Sequence, residues 1–135
     1  MSKKVRVLVA DDEPHIRQLM KGVLLAMQAE IVAEAGNGME TLDLFRVHKP
    51  DITLLDINMP RMDGLQTLKA IQEENPGTLV IMLSSLATLG IVQDCLEAGA
   101  YDFIRKDTPI AEIKVIIQKA WSHFLQTHVI TGGSS

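Results

Sequence analysis

The sequence predicts an α/β fold, a doubly wound parallel sheet, and three observations carry that prediction. Short apolar runs alternate with longer helical patterns five times over. Two of the runs, Val7-Leu8-Val9-Ala10 and Leu79-Val80-Ile81-Met82-Leu83, are almost continuously apolar, as in strands covered by helices on both faces. Acidic, hydroxyl and basic residues gather at the ends of the runs, where ligands bind in open sheets of this kind. Strict alternation of β and α elements gives parallel strands joined by right-handed crossovers.

The first strand is predicted at Val5–Ala10, closing on Asp11 and Asp12. The first helix, about Pro14–Met27, opens on a proline whose missing N–H costs nothing in a first turn. Ile16, Leu19, Met20, Val23 and Leu24 recur along it at helical spacing. The second strand, Ile31–Ala35, leads into Gly36-Asn37-Gly38, which reads as a turn; a dinucleotide loop would need glycine where Thr41 stands. The second helix is predicted at Met39–His48 and the third strand at Ile52–Asp56. The third helix, Leu65–Asn75, stops at the breaker Asn75-Pro76-Gly77.

Leu79–Ser84 is the fourth strand. The fourth helix, Ala87–Ala98, stops at Gly99, a natural left-handed cap. A register in which Leu89, Val92 and Leu96 face the sheet leaves Ile91 and Cys95 to one side and Leu86 near the strand ends. The fifth strand is Asp102–Arg105. The fifth helix, Ile110–Thr127, follows the cap and proline of Asp107-Thr108-Pro109. Its Trp121, with Ile113, Ile116, Ile117, Ala120 and Phe124, reads first as helix packing.

The 135 residues suffice for one ordinary domain. Residues 1–130 are expected to form it. Residues 131–135, Thr-Gly-Gly-Ser-Ser, have flexible-linker composition: a native end, a linker to a further domain, or an engineered scar. A net charge of −4 with dispersed Lys and Arg argues against nucleic acid as a partner. Cys95 is the single cysteine, so no disulfide forms within the chain, which suits a reducing compartment. No apolar stretch approaches the roughly 20 residues of a membrane span, and the start carries no signal-peptide core. A cytoplasmic protein is expected.

Asp11, Asp12, Asp56, Ser84 and Lys106 all fall at, or within two residues past, carboxyl ends of predicted strands. In a parallel sheet these ends share one edge. Carboxylates held close together repel, and repulsion either raises a carboxyl pKa or recruits a cation. His15, His48, His123 and His128 lack metal-site spacing.

Three stretches carry a resemblance: Val9-Ala10-Asp11-Asp12-Glu13-Pro14, then Leu54-Leu55-Asp56-Ile57-Asn58-Met59-Pro60-Arg61-Met62-Asp63-Gly64, then Gly99-Ala100-Tyr101-Asp102-Phe103-Ile104-Arg105-Lys106. Together, in this order, they resemble the CheY-like receiver domains of bacterial two-component response regulators, over about Lys4 to Thr127. The resemblance implies a flavodoxin-like (βα)5 sheet with strand order 2-1-3-4-5. It implies Asp56 as the phosphoacceptor, charged by a sensor histidine kinase or a phosphotransfer protein. Mg2+, or Mn2+ in its place, would be held by Asp12 directly, by Asp11 through water, by Asp56, and by the backbone carbonyl of Asn58. Lys106 and Ser84 would contact the phosphoryl group. Phe103 is either a core aromatic or the aromatic of the switch. The output would be a protein target bound through the fourth helix, fifth strand and fifth helix.

Two departures from the family pattern stand out. Asp107 follows the lysine where the family usually has proline, so a trans Lys106–Asp107 peptide is expected, cis without proline costing about 2.5–4 kcal/mol. Leu86-Ala87-Thr88-Leu89-Gly90-Ile91-Val92 is apolar where many relatives are charged. A partner patch is expected there, homodimer formation being one use of it. Leu86 cannot orient a hydrolytic water by hydrogen bonding, so slow autodephosphorylation is expected.

The favoured function is a phosphorylation switch, not an enzyme beyond self-catalysed phosphotransfer and slow autodephosphorylation. The competing class is a Mg-dependent phosphohydrolase with an aspartate nucleophile. A third reading makes the chain the receiver part of a longer transcriptional regulator.

Overall fold

The architecture is known from a computed structural model that describes residues 4–86 and 88–133. Five strands and five helices alternate: β1 Arg6–Ala10, α1 Pro14–Ala26, β2 Glu30–Ala35, α2 Gly38–His48, β3 Ile52–Asp56, α3 Gly64–Glu74, β4 Leu79–Ser84, α4 Leu89–Glu97, β5 Asp102–Arg105 and α5 Ile110–Gly133. All strand pairings are parallel. The order across the sheet is β2-β1-β3-β4-β5, so the expected flavodoxin-like topology holds. The direction of winding reverses at β1, whose neighbours are β2 and β3.

Alternation along each strand divides the apolar residues between two layers. Val7, Val9, Ile52, Leu54, Ile81, Leu83 and Ile104 pack with Ile16, Met20, Val23 and Leu24 of α1 and Ile113, Ile117 and Ala120 of α5. Leu8, Ala10, Leu55, Val80 and Met82 pack with Leu42 and Phe45 of α2, Leu68 and Ile71 of α3 and Cys95 of α4. The inner strands are thus buried on both faces, which is why most of β1 and most of β4 read as unbroken apolar runs.

Helix ends follow local chemistry. Asp63 accepts from the Gln66 amide while Gln66 reaches back to the Asp63 N–H, a complete capping box at the start of α3. At the end of α4, Gly99 takes φ +105°. Its N–H reaches the Leu96 carbonyl, and the Ala100 N–H reaches that of Cys95. This closes a Schellman motif, as the glycine predicts.

Three expectations are corrected. First, α4 begins at Leu89, capped by the Thr88 hydroxyl. The expected start, Ala87, lies outside the described residues. Second, α4 turns Ile91, Cys95 and Ala98 toward the core. Leu89 (73% exposed) and Leu96 (48%) face outward, and Val92 is only half-buried. Two apolar arcs compete on this short helix, and the Schellman closure with the anchored Thr88 decides between them. Third, α5 runs past Thr127 to Gly133, because helix propagation adds one bond per residue and no proline interrupts it. Thr131–Gly133 therefore belong to a helix, and residues 134 and 135 lie outside the described residues.

Candidate functional site

Sheet topology alone brings the acidic residues together. Asp11 follows β1 and Asp56 ends β3, and these strands pair directly, Ala10 opposite Leu55. Ser84 ends β4 beside them, and Lys106 follows β5. The edge is held by ladder bonds that continue into the loops. The Asp11 N–H donates to Ala35, that of Ile57 to Leu83, and that of Lys106 to Ser84.

Gly64 fixes the approach of α3 to this edge. Its N–H donates to the Ile57 carbonyl at 2.7 Å. A Cβ there would sit 2.1 Å from the Asp56 carbonyl oxygen, so no side chain fits without moving backbone.

Asp11, Asp12 and Asp56 each offer a carboxylate oxygen, and these oxygens lie within 4.8 Å of one another. Asp11 and Asp56 are buried, while Asp12 is exposed at the mouth. Lys106, its side chain only 10% exposed, reaches into the cluster: Nζ lies 2.9 Å from Asp11 Oδ2, 3.2 Å from Asp56 Oδ2 and 2.8 Å from Glu13 Oε2. Its hydrogen bonds go to Asp11 Oδ1 and Glu13 Oε2. Oδ2 of Asp11 and Oδ2 of Asp56 are buried and have no hydrogen-bond partner among the described residues; their contact with Lys106 is coulombic, without hydrogen-bond geometry.

Backbone amides complete the carboxylate shells. The Glu13 N–H donates to Asp11 Oδ1 at 2.9 Å and the Asn58 N–H to Asp56 Oδ1 at 3.2 Å. Burial, and then the neighbouring Asp11 charge, push the Asp56 pKa up to about 7, with Lys106 and the Asn58 N–H opposing. Burial alone would depress Lys106. The hydrogen bonds to Glu13 and Asp11 and the Asp56 charge outweigh it and hold the ammonium above the usual lysine range. The same contact with Lys106 holds the Glu13 carboxyl below the usual glutamate range.

Ser84 is buried one strand away. Its hydroxyl donates to the Leu86 carbonyl at 2.5 Å and accepts from the Leu86 N–H at 3.1 Å, so it serves its own loop. Phe103 is half-buried against the layer that includes α4. The Asn58 side chain is exposed. No cis peptide occurs among the described residues, so Lys106–Asp107 is trans, as expected.

Two residues of the site were not singled out from sequence. Glu13 is the shortest ion-pair partner of Lys106. Arg17 donates from Nη1 to the Asp11 carbonyl at 2.5 Å and pairs through Nε with Glu34 at 3.6 Å, which ties the Asp11 loop to β2. The usable signal was charge at the N-cap, Glu13, and one turn further on, Arg17, of a helix otherwise patterned for burial.

Comparison with known proteins agrees with this geometry. Residues 7–118 match the family model described as response regulator receiver domain. The chain is 38% identical over 116 residues to the chemotaxis protein CheY of Listeria monocytogenes, covering 86% of this chain and 98% of that one. It is 35% identical over 133 residues to the probable transcriptional regulatory protein NarL of Mycobacterium tuberculosis, covering 97% of this chain and 62% of the relative. Among solved structures, the CheX-CheY-BeF3-Mg+2 complex of Borrelia burgdorferi matches with TM-score 0.82 and 33% identity, over 89% of each chain. The family model spans most of the chain, and the match to CheY covers nearly the whole relative. The chain belongs to the response regulator receiver domains of two-component signalling.

Proposed function

We propose that Asp56 is the phosphoacceptor of this receiver domain, and the meeting of Asp11, Asp12 and Lys106 around its carboxylate carries the reading. An Asp56 carboxylate oxygen attacks the phosphorus of a phosphohistidine on a sensor kinase or phosphotransfer protein. The bond from phosphorus to the histidine nitrogen breaks, and an aspartyl phosphate remains. Such transfer depends on in-line positioning and charge neutralisation more than on covalent help.

The donor set fits a hard divalent cation. It is all oxygen, and two of its buried oxygens lack hydrogen-bond partners among the described residues. Asp12, Asp11 and Asp56 would hold Mg2+ or Mn2+, with the Asn58 carbonyl as a further ligand. When bound, the cation supplies charge neutralisation at the transferring phosphoryl group. Lys106 supplies a fixed positive charge beside the acceptor oxygen. Asn58 stands where phosphohydrolases of the competing class carry an acid/base aspartate, and an amide does not gain or lose a proton near neutral pH, which favours a switch over a turnover enzyme.

The readout starts at Ser84. For its hydroxyl to donate to a phosphoryl oxygen, the bond it donates to the Leu86 carbonyl must break, and the β4–α4 loop moves with it while Phe103 repacks. Two or three charge-assisted hydrogen bonds at about 1.5–3 kcal/mol each match the roughly 5.5 kcal/mol that inverts a population from 1:99 to 99:1. The face that changes, α4, β5 and α5, would bind a downstream protein or a second copy of the chain. The free thiol of Cys95 suits a cytoplasmic location.

Incubation with acetyl phosphate tests the reading. It predicts one phosphoryl group per chain by intact mass, dependent on Mg2+ and abolished by chelation. Continuous turnover of small phosphate esters without labelling would overturn it.

A further inference from the structure

We propose that Glu13 is a positioning residue that holds the Lys106 ammonium on the β1–α1 loop in the resting protein and yields it when a phosphoryl group arrives. The proposal rests on the reading of Asp56 and Lys106 given above and adds a competitor for the lysine.

The geometry is unequal in an informative way. Lys106 Nζ has three N–H groups and three carboxylates within 3.2 Å. Its two hydrogen bonds go to Asp11 and Glu13. The contact with Asp56, at 3.2 Å the longest of the three, is an ion pair without hydrogen-bond geometry. The hydrogen bonds of the ammonium thus go to the β1–α1 loop, while Asp56 is met at the longest of the three distances. Its third N–H is uncommitted, and turning it onto a phosphoryl oxygen on Asp56 pulls the ammonium against its bond to Glu13.

The two partners differ in how readily they let go. The Asp11 side chain is 0% exposed, and its Oδ1 is held by the Glu13 N–H. The Glu13 side chain is 42% exposed, so its carboxylate can turn into water at small cost. Glu13 is the exchangeable partner. Removing its charge frees a donor of Lys106 and also takes one negative group from beside an incoming anion. These two effects have the same sign, and only the first needs the lysine.

Beryllofluoride with Mg2+ is the probe, read by calorimetric affinity. Glu13→Gln is expected to bind it about fivefold more tightly than the wild type, the scale of a partly exposed ion pair, and this gain is expected to shrink in a Lys106→Ala background, where only the removal of negative charge remains. Unchanged or weaker binding by Glu13→Gln overturns the inference, and so does the same gain in the Lys106→Ala background. A crystal structure of the wild-type complex gives an independent reading. The Glu13–Lys106 contact is expected to open beyond hydrogen-bond distance, and its persistence at the resting length overturns the inference. If the wild-type chain shows no Mg-dependent binding that Asp56→Asn abolishes, the reading of the site itself falls, and this inference with it.

Discussion

Asp56 sits where folding and function pull apart. Its carboxyl ionises at about 7 in the folded chain against 3.8 as an ordinary aspartate, because of burial and Asp11. For an acid this sign means that ionisation opposes folding. Below about pH 4 the group is protonated in both states and contributes nothing; the penalty grows as pH rises and is complete above about 7. About three units at 1.36 kcal/mol each, already net of the attraction to Lys106, set a ceiling near 4 kcal/mol, and burying an asparagine amide beside that ammonium offsets part of it. Asp56→Asn should therefore be more stable than wild type by on the order of 2 kcal/mol at pH 8 without divalent metal. Urea midpoints should converge as the pH is lowered toward 4. A pH-independent difference would count against this picture. Two residues beyond Ser84, Leu86 is 67% exposed and offers no side-chain hydrogen bond. Leu86→Glu should shorten the lifetime of the aspartyl phosphate several-fold, measured as loss of trapped label over time; equal decay would remove Leu86 from the account.

At the scale of elements, two glycines give opposite expectations. Gly64→Ala drives a Cβ to 2.1 Å from the Asp56 carbonyl and should cost about 3 kcal/mol, as overpacking against backbone does. Gly22, inside α1, would meet nothing within 4 Å, so Gly22→Ala should stabilise by up to roughly 1 kcal/mol. Chemical denaturation of both variants checks the pair. The fourth helix supplies a third expectation: Leu89→Gln should change stability by less than about 0.5 kcal/mol, because Leu89 faces solvent. A loss near that of a core leucine would restore the register in which it faces the sheet. That register was illegible in sequence for a physical reason. Positions 86, 89, 91, 92, 95 and 96 are all apolar or cysteine, so periodicity supports two faces, and only tertiary packing selects Ile91 and Cys95. By contrast β3, β4 and β5 have the bounds their sequences predict, since apolar runs end on Asp56, Ser84 and Arg105.

For the molecule as a whole, the fold was legible because one pattern repeats and only a parallel sheet accommodates it. The site was legible in large part for the same reason: strand-end residues must share an edge, which brought Asp11, Asp12, Asp56 and Lys106 together before any side chain was placed. What escaped was pairing that has no period. The bond of Lys106 to Glu13 joins positions 93 residues apart, and nothing in spacing announces it. The hold of Ser84 on Leu86 is likewise a turn whose partner only the backbone path reveals. The molecule then reads as a stiff sheet with one crowded corner, where three carboxylates surround one ammonium and the loops after β1, β3 and β5 meet. The measurement that bears most directly on this account is the identity of the phosphorylated residue. After exposure to acetyl phosphate and Mg2+, borohydride reduction and peptide mass spectrometry should find the modification at Asp56 alone, and none in Asp56→Asn. Label on another residue, or label that survives Asp56→Asn undiminished, would contradict it.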